Sequence, residues 1–311
     1  SGSFLVQAMV HELADARYGH TDAEFKELAD KIKQEHIFGI ENEEKAYGLS
    51  TTNMLIHGDG NSNVEFGSCF DLKNFIVGAK PNVILMNPPY NAKPRGIPDA
   101  YKKEWTSSEK NGKSDPTKGM VFVKYLSDIA KAEKWEGTRL AVLLPMAAAI
   151  GTGTRLTKMK EELLQDNTLD AVFSLPSEIF YPGAAVQAVC MLFTLNKPHF
   201  DHATGKPRRK TFFGFYKDDG FIKRKGLGRV EQFDFNGHSE WKKIEKEWLN
   251  LYRNKTVKAG FSAMHAVTKD DEWLCEAYME TDYTTLTEED FQQTVNDYLA
   301  YLVKTGSVYE A

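Results

Sequence analysis

Two consecutive prolines at the end of an apolar run constrain this chain more than any other feature. Asn82-Val-Ile-Leu-Met86 leads directly into Asn87-Pro88-Pro89-Tyr90. Neither proline has an N–H to give to a ladder, so a strand over Asn82–Asn87 must stop there and the chain must turn outward. Other β-branched runs predict strands at His36–Glu41, Met54–Gly58, Arg139–Pro145, Asp170–Leu175 and Gln187–Leu195. Helical periods lie between them, at Phe4–Tyr18, Asp22–Glu35, Glu43–Thr51, Lys118–Lys134 and Arg155–Gln165. Strands alternating with helices imply an α/β fold with a mostly parallel sheet covered on both faces. Ala141–Leu144 is almost continuously apolar, as in a strand buried from both sides. Open sheets of this kind place their ligands at the carboxyl ends of the strands, which is where the double-proline turn falls.

Composition narrows the field. The chain has 311 residues, 41% of them hydrophobic, enough for one large core and a smaller appendage. Cys69, Cys190 and Cys275 lie far apart with no CxxC pair, which argues against a disulfide scaffold or structural zinc and for a reducing cytoplasm. The most apolar stretch, Leu140–Ile150, is too short to span a bilayer and contains Pro145, so no membrane role is expected. A net charge of −5 is mild. A chain gripping duplex DNA alone usually shows a strongly basic face, so either basic groups are concentrated locally or a partner carries much of the contact. The texture changes near residue 200. Phe212–Val230 is aromatic, glycine-punctuated and basic, suggesting a hairpin, and helical patterns follow at Ser239–Lys258 and Glu288–Lys304. The expected organisation is a catalytic domain over 1–200 and a C-terminal extension for partner contact over 201–311.

The turn suits chemistry on an exocyclic aromatic amine. Such a nitrogen is a poor nucleophile because its lone pair is delocalised into the ring. The Asn87 side-chain oxygen and the Pro88 carbonyl can each accept one amino hydrogen, favouring a pyramidal nitrogen aimed at a methyl sulfonium. Pro89 stiffens the turn, and Tyr90 offers a face on which a base can stack. The plain alternative is a proline-rich loop with an asparagine cap. On the cofactor side, Ser1-Gly2-Ser3 opens a helix and can bring backbone N–H groups to a ligand, although a cloning scar leaves the same residues. Glu41 ends a strand where a carboxylate can hold ribose hydroxyls, or simply be solvated. Asp59 is expected to end the third strand and accept from an adenine amino group, or to form an ordinary Asp-Gly turn. Parallel neighbouring strands would put Glu41, Asp59 and Asn87 on one edge.

In combination, Gly-Ser-Phe-Leu at the opening, Gly-Ile-Glu41, Gly58-Asp59 and Asn87-Pro-Pro-Tyr90 resemble the amino-methyltransferases of DNA. Within these the chain is most similar to the modification subunit of type I restriction–modification systems. The run Ser174-Leu-Pro-Ser-Glu-Ile-Phe180-Tyr-Pro-Gly183 through Val186-Gln187 strengthens the likeness. The resemblance covers roughly residues 1–230. It implies the class I S-adenosylmethionine-dependent methyltransferase fold, Rossmann-like with one reversed strand, and transfer of a methyl group to adenine N6 in DNA. It also implies a specificity subunit, and a restriction subunit in some assemblies, as partners. Phe180 or Tyr181 would form a second wall of the target-base pocket, the alternative for either being core packing beneath a turn. The family's first cofactor motif begins on a strand that would precede Ser1. The chain is therefore expected to lack that central strand, and alone to bind cofactor weakly and fold poorly.

Other signals weigh less. Lys93–Lys118 reads equally as a closing segment or a mobile loop. Lys206-Pro-Arg208-Arg209-Lys210 reads more readily as a solvated turn than as a DNA contact, and His199 with His202 as a loop coincidence rather than a metal pair. Cytosine-C5 chemistry is disfavoured, because it needs a nucleophilic cysteine, typically after proline, and the three cysteines follow Ser68, Val189 and Leu274. No P-loop is present, which excludes an ATP-driven motor within this chain. Protein-glutamine methylation, cytosine-N4 methylation and a non-catalytic assembly role remain as alternatives.

Overall fold

The computed structural model describes residues 2–58, 63–284 and 286–305. The chain opens with helices α1 (Ser3–Arg17) and α2 (Asp22–Lys31), then a π-helical turn over Ile32–His36. Thr21 starts α2 by a reciprocal capping box with Glu24. Strand β1 (Phe38–Glu41), helix α3 (Glu44–Ile56) and strand β2 (Asn63–Phe66) complete an N-terminal layer. β1 and β2 pair in parallel as a two-stranded sheet of their own, Phe38 opposite Asn63 and Glu41 opposite Phe66. A small core of Val6, Met9, Ile37 and Met54 joins α1 and α3 to β1.

The strand expected over Met54–Gly58 is instead the end of α3. Ser50 and Met54, one helical turn apart, are both buried, whereas Leu55 and Ile56 are 64% and 73% exposed. A half-buried strand would alternate in and out, and three apolar residues in a row could not distinguish the two periods.

Helix α4 (Lys73–Ala79) leads to β3 (Val83–Met86), followed by a 3-10 turn over Asp99–Lys102 and short helix α5 (Ser107–Asn111). Then come α6 (Met120–Ala132), β4 (Arg139–Pro145), α7 (Met146–Ile150), α8 (Thr154–Asp166), β5 (Thr168–Ser174), β6 (Ala188–Thr194) and β7 (Thr211–Phe215). A hairpin of β8 (Phe221–Arg224) and β9 (Gly228–Glu231), helix α9 (Glu240–Asn254), β10 (Ser262–His265) and helix α10 (Glu288–Thr305) finish the described chain.

The main sheet has six strands in the order β10-β7-β5-β6-β4-β3. β3, β4, β5 and β7 run one way, and β6 is the expected interior reversal. β10 is a second reversed strand, on the far edge beside β7. The sheet thus continues past residue 200, because β7 and β10 come from the segment expected as an extension. β4 and β6 are apolar on both faces, as a position between helix layers requires: Leu140, Val142, Leu144, Val189, Met191 and Phe193 are buried on one face, and Ala141, Leu143, Cys190 and Leu192 are half-buried on the other. Trp273 and Cys275, from beyond β10, close the same core. Four carboxyl ends therefore share one edge: Met86, Pro145, Ser174 and Phe215.

Candidate active site

Asn87, Pro88, Pro89 and Tyr90 leave β3 at that shared edge. Pro88 is buried and Asn87 exposed, so the stiff turn is anchored in protein while its amide faces outward. Among the described residues the Asn87 amide has no hydrogen-bond partner. Burial of this side chain against the core would have ruled out the amine-binding reading, and that arrangement does not occur. The Tyr90 ring meets Phe180 edge-on, centroids 5.9 Å apart at 65°. Burial pushes the Tyr90 phenol above its ordinary range, and its hydroxyl has no partner among the described residues. The two rings come from the carboxyl ends of different strands, Tyr90 after β3 and Phe180 after β5. The Lys223 ammonium lies 4.3 Å from the Tyr181 ring centroid.

The turn is held from behind by the segment that follows it. Lys93 N donates to Lys113 O at 2.7 Å, and Asp115 N to Asn91 O at 2.9 Å. These bonds close residues 93–113 into a loop whose Ile97 and Trp105 are buried in the main core. The segment is pinned where it leaves and rejoins the turn and is anchored in the core by Ile97 and Trp105, clamping the turn from behind. Asp115 is fully buried, and its carboxylate accepts from Thr117 N, Thr117 Oγ1 and Gly119 N at 2.7–2.8 Å. Burial raises the Asp115 pKa, and these three donors oppose the rise. The same bonds fix Gly119 at φ +89, where a Cβ would lie 2.8 Å from Leu144, 3.5 Å from the Pro88 ring and 3.7 Å from the Pro89 carbonyl oxygen. Only glycine permits this close approach behind the prolines. Asp115 and Gly119 were not singled out from sequence, although Asp115-Pro-Thr-Lys-Gly119 before an apolar helix carries a capping signal.

On the cofactor side, Glu41 Oε1 accepts from Asn42 N at 2.8 Å and Glu43 N at 3.0 Å, which fixes the carboxyl group at the end of β1. Gly2 caps α1 at φ +73 without a side chain, its Cα packed against Ser50, and Ser3 begins the helix. Ser1 and Asp59 lie outside the described residues. One contact joins the ends of β1 and β2, and two tie this side to the chain after the turn. Gly67 N donates to Glu41 O at 2.9 Å, Ser68 Oγ donates to Arg95 O at 2.6 Å, and Gly96 packs on the Asp71 carboxylate. The carboxyl ends of β1 and β2 thereby meet the chain leaving Tyr90.

Burial pushes the thiols of Cys69, Cys190 and Cys275 up to about 12, so none is a ready nucleophile. His199 is fully buried with both ring nitrogens unpartnered among the described residues, whereas His202 is exposed. No described cluster of His, Cys, Asp and Glu could hold a metal. No described helix is long and apolar enough to cross a membrane.

A family model described as N-6 DNA Methylase matches residues 1–300. Over 302 residues the chain is 28% identical to the type II restriction enzyme and methyltransferase RM.BcgI of Heyndrickxia coagulans, covering 97% of this chain and 41% of that protein. It is 25% identical over 199 residues to the type I restriction enzyme EcoEI methylase subunit of Escherichia coli, covering 64% of this chain and 37% of that subunit. The chain thus spans about two-fifths of the length of these curated relatives. In fold it is similar to the methyltransferase subunit of the type I restriction–modification system of Streptococcus thermophilus. That match has a TM-score of 0.56 and 20% identity, covering 86% of this chain and 57% of the other.

Proposed function

This chain belongs to the N-6 DNA methylase family, and we propose that it methylates the N6 amino group of an adenine swung out of duplex DNA, with S-adenosylmethionine as donor. The observation that carries this reading is the exposed, unpartnered Asn87 amide on a stiff turn beside the Tyr90–Phe180 pair. Extrusion of the base costs a few kcal/mol, which stacking on an aromatic face offsets. Asn87 Oδ1 and the Pro88 carbonyl accept the two amino hydrogens, pull the lone pair out of conjugation and stabilise positive charge as the new N–C bond forms. Amide oxygens are too weakly basic to keep a proton, so the hydrogen displaced from the amine passes to water. Because the turn is anchored before substrate arrives, no ordering cost falls on the reaction step.

The residues fit the donor. The Glu41 carboxyl group, held by two loop amides, has its second oxygen available for ribose hydroxyls, and Gly2, whose missing side chain lets α1 start close against Ser50, opens a helix that can offer backbone N–H groups. S-adenosylmethionine supplies the electrophilic methyl on a sulfonium. Ser1, Gly2, Ser3, Glu41, Asp59 and Asn87 are the proposed contacts.

The names of the relatives support work within a restriction–modification assembly, with DNA, a specificity subunit and in some assemblies a restriction subunit as partners. Radiolabelled methyl transfer to unmethylated DNA, with the protein in its complete assembly, tests the proposal. Asn87→Ala should lower transfer by about 10²–10³-fold, with no loss of thermal stability, because the amide supports nothing in the fold. Transfer undiminished in that variant would overturn the reading.

A further inference from the structure

The basic run that follows β6 is split by the sheet. Arg209 pairs with Asp170 at 3.4 Å, at the start of β5. Lys206–Lys210 therefore lie at the amino edge, away from the Asn87 turn. β7 then crosses the sheet to the shared carboxyl edge, where the β8–β9 hairpin stands against the chain that carries Phe180. Lys223 Nζ is 3.0 Å from Glu178 Oε1, and the Gly228 Cα faces the Pro182 ring, which would lie 3.7 Å from an added Cβ. The hairpin is fastened at its base: Arg229 pairs with Asp219 at 2.5 Å and lies over the Phe221 ring at 5.4 Å. Its register is fixed from Phe221 opposite Glu231 to Arg224 opposite Gly228.

From Phe221 to Val230 the sequence holds Lys223, Arg224, Lys225 and Arg229 and no acidic residue. Lys223 and Arg229 hold the hairpin in place. Arg224 and Lys225 are exposed and form no ion pair among the described residues. The tip bends through Gly226 and Gly228, both at positive φ, and lifts Leu227, 76% exposed, at its apex. Such a finger projects two unneutralised cations beside a pocket that receives a base, although the chain as a whole is acidic.

We propose that the β8–β9 hairpin grips the DNA duplex beside the extruded adenine, with Arg224 and Lys225 neutralising backbone phosphates. This rests on the DNA-methylating reading given above and names the protein groups that hold its substrate. An acidic protein partner is the competing occupant. DNA is favoured by continuity with the Tyr90–Phe180 pair: Phe180 and Tyr181 are adjacent in sequence, and Tyr181 carries Lys223 on its face.

The test measures anisotropy of a fluorescein-labelled unmethylated duplex with the protein in its complete assembly, across a salt series, beside methyl transfer. Arg224→Ala with Lys225→Ala should weaken binding by roughly tenfold or more at moderate salt. The slope of log affinity against log salt should fall by about 2, the loss of two phosphate contacts. Donor affinity and the rate at saturating DNA should not change. The charge-preserving pair Arg224→Lys and Lys225→Arg should bind like wild type, which separates lost charge from a damaged fold. Unaltered affinity and slope in the alanine pair, while wild type still methylates and Asn87→Ala does not, would sink the hairpin and leave the methylating reading intact. So would loss of a partner subunit with DNA affinity preserved.

Discussion

The six-stranded sheet and the N-terminal layer are built to different standards. In the sheet, strands β4 and β6 present one face of fully buried aliphatic and aromatic side chains and a second, partly buried apolar face, and the core extends from Phe70 to Cys275. In the layer, the buried cluster is small: Val6, Met9, Ile37 and Met54 join α1 and α3 to the start of β1. Among the described residues the two sheets share no strand pairing. Val83 and Leu85 on the facing edge strand are 62% and 44% exposed. The groups assigned to the base, Asn87 to Tyr90 and Phe180, ride on the dense body, and Gly2, Ser3 and Glu41 ride on the thin one. The lesson is that the groups proposed for the base and those proposed for the donor rest on supports of unequal packing, so damage to each region should be read out differently.

The hardest test of that division is a matched pair of cavities. Leu144→Ala in β4 should cost about 3–5 kcal/mol and lower the main unfolding transition, as seen by calorimetry. Met54→Ala should cost about 2–3 kcal/mol, confined to the layer. Hydrogen exchange should then accelerate in α1 and β1 while β4 and β6 stay protected. Equal acceleration everywhere would show that the two regions unfold as one.

Acid should weaken the sheet body selectively. Burial holds His199 down at about 4, against an ordinary value of 6.5. Its folded pKa is depressed, so between pH 6.5 and 4 the unfolded chain binds a proton that the folded chain refuses. Stability is complete above 6.5 and falls as pH drops towards 4, by something on the order of 2 kcal/mol. Denaturant titrations at the two pH values should show this loss, and His199→Phe should flatten it. A slope surviving in that variant would assign the acid sensitivity elsewhere.

The smallest expected effect is the most local. Gly119→Ala places a methyl group at positive φ and 2.8 Å from Leu144. It should cost about 1–2 kcal/mol in stability. Methyl transfer should slow with little change in DNA affinity, since the prolines move and the hairpin does not. Loss of affinity with an unchanged rate would contradict the role given to the clamp.

Much of the sheet body is legible in sequence because its signals are local. Arg139–Pro145 is bounded by a charge and a proline and appears as β4 with those limits, and the double proline alone ends β3. The Met54–Gly58 error has a local cause too, a short apolar run that fits either period. What sequence does not reveal is pairing across distance. That Lys223, forty-two residues on, lies over the Tyr181 ring is one such pairing. Trp105 looks like part of a loop until it is found in the core. The insertion of β7 and β10 into the main sheet depends on partners far along the chain, beyond the reach of any periodicity.

Lys160 has one more consequence. Its ammonium, buried enough to be held down at about 8, donates to Ala149 O at 2.7 Å and Asp271 O at 3.0 Å, with Trp273 at its flank. It binds the chain just past β4 to a stretch translated more than a hundred residues later. On the ribosome, the walls of the main core are made long before the indole that fills it against Phe193. Until residue 273 emerges, the site of that indole stays open and Lys160 lacks one of its two carbonyl acceptors, so the body that is sturdiest when finished is the one that stays unfinished longest during synthesis.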